Sequence, residues 1–116
     1  SKQEPLFLRS WSADFPDPDN FLSVFLADSG NNRTGWKSDS FDALITKARG
    51  LPLGKARTAL FLRAQTLLVN HDTVIIPLYY EPNLALVRRR VEGLELTPLN
   101  YLFLKRVHLK GALATP

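Results

Sequence analysis

Asp14 ends the run Leu6-Phe7-Leu8-Arg9-Ser10-Trp11-Ser12-Ala13-Asp14, which stops abruptly at Phe15-Pro16-Asp17-Pro18. Large apolar residues dominate the start of this run, which predicts a mostly buried strand, and the two prolines forbid its continuation because neither can donate to a ladder. A carboxylate is thereby placed at a strand end. In α/β sheets ligands are usually held at strand ends, so Asp14 could receive a cation such as a ligand's amino group. The alternative is that Asp14 merely caps a turn, and spacing alone leaves both readings open.

Other groups capable of chemistry are few. There is no cysteine, which excludes disulfides, thiolate chemistry and cysteine-ligated zinc. His71 and His108 have no serine or acid at a recognisable motif spacing, so a hydrolase is a distant alternative, and His71 reads as a surface residue. The formal charge of +4 makes nucleic acid worth weighing, but Arg88-Arg89-Arg90 is the only true basic cluster, and short basic runs are more often solvated loops. Tyr79 and Tyr80 close an apolar run. If that run is a strand they point opposite ways, one into the core and the other onto a ligand.

The elements that must position these groups follow from periodicity. Asp17-Pro18 is an N-cap followed by proline at the first helical position, and Phe21, Leu22, Phe25 and Leu26 fall on one face of the short helix this predicts. A second short helix follows Ser38, with Phe41, Leu44, Ile45 and Ala48 inward, Asp39 and Asp42 as a capping-box-like pair, and a stop at Gly50. The longest helix starts at Lys55, with Leu60, Phe61, Ala64, Leu67 and Leu68 on one side, and ends at Asn70-His71-Asp72. Val74–Tyr80, Leu84–Val87 and Tyr101–Leu109 are expected to be strands, with Pro77 at an edge or irregularity, and Val91–Leu96 a short amphipathic strand or an extended loop. One strand, three helices and further strands predict an α/β or α+β fold with a mixed sheet. At 116 residues and 45% hydrophobic content the chain is one domain or a piece of one.

Several stretches together carry a resemblance. Trp11-Ser12-Ala13-Asp14 with Pro18 and Phe21-Leu22, Ser29-Gly30-Asn31-Asn32, Ser38 to Ile45, Arg57 to Gln65, Ile75 to Tyr80 and Val91-Glu92-Gly93 fall in one order with fitting gaps. The chain resembles the C-terminal part of an oligopeptide-type extracellular solute-binding protein (bacterial solute-binding protein family 5), the receptor component of peptide ABC importers. The resemblance implies one domain, 1–116, as a fragment of the C-terminal lobe of a type II periplasmic-binding-protein-like fold, with 101–110 as a strand returning to the missing first lobe. It implies recognition without catalysis or cofactor, a peptide ligand, and ABC permease subunits as partners of the full-length protein. It also implies a periplasmic or extracellular, membrane-anchored location, the targeting segment lying outside this chain.

The family's aspartate for the peptide α-amino group falls on Asp14, and the groups beside it on Trp11 and Ser12. Asn31, Asn32 and Arg33 lie in a loop bordering the cleft in relatives, and Tyr79 or Tyr80 resembles residues lining a side-chain pocket. Sheet edges left without neighbours would make the isolated fragment self-associate. The rival readings are a self-associating interaction module and a small basic nucleic-acid-binding domain using Arg88 to Arg90.

Overall fold

The structure, a computed structural model, describes residues 6–99 and 101–111. The chain divides into two compact units, Ser1–Leu78 and Tyr79–Pro116.

The first unit is helical. α1 (Pro18–Leu22) starts where its cap predicts: Asp17 is extended, and its carboxylate accepts the Asp19 N–H at 2.9 Å. A 3-10 turn, Ser23–Phe25, continues it. α2 (Asp39–Arg49) is capped by Ser38, whose hydroxyl accepts the Phe41 N–H at 3.3 Å. The expected Asp39–Asp42 capping pair is thus replaced by a serine cap, and the Asp42 carboxylate instead accepts the Ala27 N–H, tying the loop after α1 to α2. α3 (Lys55–Thr66) runs on into a wider π turn, Leu67–His71, after which the Val74 N–H returns to the Leu68 carbonyl at 2.9 Å.

These helices share one core of Leu22, Phe41, Ile45, Ala48, Leu60, Phe61, Ala64 and Leu68. Phe41, Ile45 and Leu68 are fully enclosed, and each such side chain contributes about 1.5–3 kcal/mol by leaving water. Trp36 packs edge-on against Phe41 with ring centroids 5.0 Å apart, and its indole N–H donates to Asp72 at 3.0 Å. His71 lies at the surface beside the same carboxylate. The hydrogen bond from His71 holds the Asp72 carboxyl below its ordinary value, with the Trp36 bond acting in the same direction.

The second unit carries the sheet found among the described residues. β1 (Val91–Glu92) pairs antiparallel with β2 (His108–Leu109), and Leu96 bridges Leu102. Gly93, at φ 77°, lets the hairpin close: a Cβ there would stand 2.1 Å from the Arg106 carbonyl oxygen.

The mixed sheet expected from the sequence is therefore corrected to a small antiparallel ladder beside three helices. Leu6–Asp14 is not a buried strand: residues 6–13 lie outside any ladder among the described residues, and Leu6 and Leu8 are about 80% exposed. Val74–Tyr80 and Leu84–Val87 are likewise outside it, and Tyr79 and Tyr80 are both exposed, so neither packs in a core as strand alternation had predicted. Tyr101–Leu109 is interrupted by a 3-10 turn at Leu104–Arg106. The physical reason is common to all four. An apolar, β-branched run states a preference for the extended backbone, but a strand exists only where a neighbour accepts from its N–H groups and donates to its C=O groups.

Candidate functional site

Trp11, Ser12 and Asp14 lie in the approach to α1, and one side chain organises that approach. Asn20, in the first turn of α1, is only 7% exposed. The Trp11 indole N–H donates to the Asn20 backbone carbonyl at 3.0 Å and to its Oδ1 at 3.1 Å, while the Asp14 backbone N–H donates to the same Oδ1 at 3.3 Å. Trp11 is half-buried, and Ser12 and Asp14 are exposed.

α1 itself is anchored from two sides. Arg57 on α3 holds both oxygens of the cap residue Asp17, at 2.7 and 2.9 Å, and its guanidinium lies 4.6 Å from the centre of the Phe61 ring. Both partners are mostly covered, with side-chain exposures of 13% and 19%. The Arg57 hydrogen bond holds the Asp17 carboxyl below the usual carboxylate range, outweighing the opposite effect of burial. The cap therefore stays ionised at neutral pH, which suits the positive end of a helix. Arg49 on α2 holds Asp19 through its Nε–H alone, which donates to both carboxylate oxygens at 2.8 and 3.0 Å. The Asp14–Pro18 turn is thus built on a helix start fixed to both longer helices.

Arg9 joins a second segment to this one. Its guanidinium lies 5.3 Å from the centre of the Trp11 ring and donates to the Asn31 carbonyl, drawing the loop of Asn31, Asn32 and Arg33 toward the Trp11 segment. Within that loop Asn32 is a scaffold: its amide N–H groups meet the carbonyls of Phe25, Leu26 and Trp36, and its Oδ1 accepts from the Thr34 N–H and hydroxyl. Arg33 is exposed beside it. Of the residues singled out by sequence, Trp11, Ser12, Asp14, Asn32 and Arg33 belong to this unit, whereas Tyr79 and Tyr80 lie in the other.

Sequence reasoning missed Arg9 and Asn20 and placed Arg57 on no particular partner. A signal for Arg57 existed, since a cap aspartate invites a cation; Asn20, two positions from Leu22 and so on a different side of a helix, carried none. A separate open groove of about 440 Å³ lies between α2 and α3, lined by Ser40, Leu44, Leu62, Arg63, Thr66, Leu67 and His71, none of which belongs to the expected site.

No family model matches the chain. Among curated proteins it is 34% identical over 100 residues to the periplasmic oligopeptide-binding protein OppA of Salmonella typhimurium, covering 85% of this chain and 18% of that protein. It is 35% identical over 96 residues to the dipeptide-binding protein DppE of Bacillus subtilis, covering 83% and 18%. The chain belongs to the oligopeptide-type extracellular solute-binding family. The probable deoxycholate-binding periplasmic protein YgiS of Escherichia coli is similar too, at 32% identity over 89% of this chain and 19% of its own length. This family member thus spans about a fifth of the length of the curated relatives it matches. The relatives named here are binding proteins.

Proposed function

We propose that the chain forms part of the C-terminal lobe, of type II periplasmic-binding-protein-like fold, in a receptor that binds oligopeptides and presents them to ABC permease subunits for uptake. Its location is the periplasm or the outer face of the membrane, with a lipid anchor supplied by the longer protein, and neither catalysis nor nucleic acid enters its role. Asp14 receives the peptide's free α-amino group, Trp11 and Ser12 flank the first residue of the ligand, and Asn32 holds the loop that presents Arg33. Tyr79 or Tyr80 serves a side-chain pocket. The observation carrying this reading is the exposed Asp14 on a segment pinned by a buried asparagine. An amine is the natural partner for a carboxylate covered by ligand, because a charge desolvated alone is costly. The names of several relatives also specify dipeptide, tripeptide or oligopeptide, although one names heme and another deoxycholate.

Calorimetry on the full-length receptor tests it. N-acetylation of trialanine is expected to weaken binding about a hundredfold or more, since it leaves a charge buried and unpaired. Exchanging the alanine side chains should cost less than about tenfold, because the backbone and amine carry the recognition. An acetylated peptide that binds as well as the free one would point to a different solute.

A second reading applies to the chain on its own. Leu6, Leu8, Ile76, Leu78, Leu84 and Leu86 lie outside any ladder among the described residues, with most of their surface in water. Such stretches template pairing with a second copy, so the isolated chain should sediment at micromolar concentration as a dimer or larger species. A clean monomer would show that these segments stay solvated.

A further inference from the structure

Among the described residues Asn20 is the one buried polar side chain, in a helical unit whose other buried residues are apolar. A buried carboxamide is retained at a cost unless its oxygen is used, and here both acceptor positions of Oδ1 are used, by the Trp11 indole N–H and by the Asp14 backbone N–H. The second bond acts on the residue that carries the carboxylate and so sets where its Cα–Cβ bond points. The first sets the tilt of the indole over which Arg9 lies. Asn20 is itself held, because α1 is clamped through Asp17 to Arg57 and through Asp19 to Arg49.

We propose that Asn20 is a positioning residue for ligand recognition: its single oxygen couples Trp11 to Asp14 and fixes the direction from which the carboxylate meets the ligand's amino group. This rests on the reading of Asp14 given above. A purely structural asparagine would support the fold without distinguishing one ligand from another, whereas a positioning residue acts through Asp14 and is felt by the amine.

The test uses the full-length receptor with trialanine and N-acetyl-trialanine as probes, and the variants Asn20→Ala, Asn20→Asp, Asp14→Asn and the double variant Asn20→Ala/Asp14→Asn. Asn20→Ala is expected to weaken trialanine about tenfold, the scale of a lost hydrogen bond to a group that matters, and N-acetyl-trialanine by less than about threefold. In the Asp14→Asn background the same change should add little, because residues that act as a unit are not additive. Asn20→Asp, which keeps an acceptor oxygen on the same stem, should return trialanine binding to within about threefold of the parent. If Asn20→Ala does not fold, Asn20→Ser takes its place, its hydroxyl being too short to serve both donors. Equal weakening of both peptides, independent effects in the double variant, or no recovery with Asn20→Asp would each overturn the positioning role while leaving Asp14 in place. No effect of Asp14→Asn would overturn the amine reading, and the positioning role with it.

Discussion

Asp14→Asn in the full-length receptor is expected to weaken trialanine by about tenfold to a hundredfold, the scale of a charge-assisted hydrogen bond of about 1.5–3 kcal/mol, with more lost if the ligand's ammonium is left buried and unpaired. Asparagine keeps the size and one acceptor oxygen but removes the charge. The substitution leaves in place the Asp14 backbone N–H bond to Asn20 that anchors this segment to α1, so the empty receptor is expected to remain folded. Calorimetry and thermal unfolding on the same preparation separate the two effects. Parental affinity in the variant would remove Asp14 from the site.

The second large effect concerns the platform beneath. Phe41 has no exposed surface, meets Trp36 edge-on and lies within the cluster shared by all three helices. Phe41→Ala is expected to destabilise the helical unit by about 3–5 kcal/mol, combining the lost transfer energy with the cavity left behind. Native stability is about 5–15 kcal/mol, so this change consumes much of it. Urea unfolding followed by circular dichroism at 222 nm checks the result, and an unshifted midpoint would mean that the core had been misassigned.

What could be read from the sequence divides along the range of the interactions involved. Asp17-Pro18 and the spacing of Phe41, Ile45 and Ala48 act within one or two helical turns, and each lies where those local rules put it, although the cap before Phe41 falls to Ser38 and not to the expected Asp39–Asp42 pair. Leu6–Asp14 and Val74–Tyr80 carry strand composition of similar strength, but pairing is not a property of one segment, and the described residues supply no partner for either. The candidate site divides in the same way. Asp14 at the turn before α1 was legible because Pro16 and Pro18 mark that turn. Asn20 was not, since asparagine near a helix start reads as a surface residue, and only the Trp11 indole and the Asp14 backbone N–H, nine and six positions earlier, make its burial tolerable.

The core of the helical unit, from Leu22 to Leu68 with Val74 and Ile75 at its margin, lies within one continuous stretch of chain. Its closure joins segments close together in sequence, so the loop entropy lost is small, and local topologies of this kind reach their native contacts early and fast. On a ribosome, where residues emerge from the N-terminal side, α1 to α3 hold every buried partner they need before the hairpin of β1 and β2 has been synthesised. The Asp14 turn, fastened to α1 through Asn20, is therefore assembled ahead of the hairpin, on a nucleus that does not wait for a sheet.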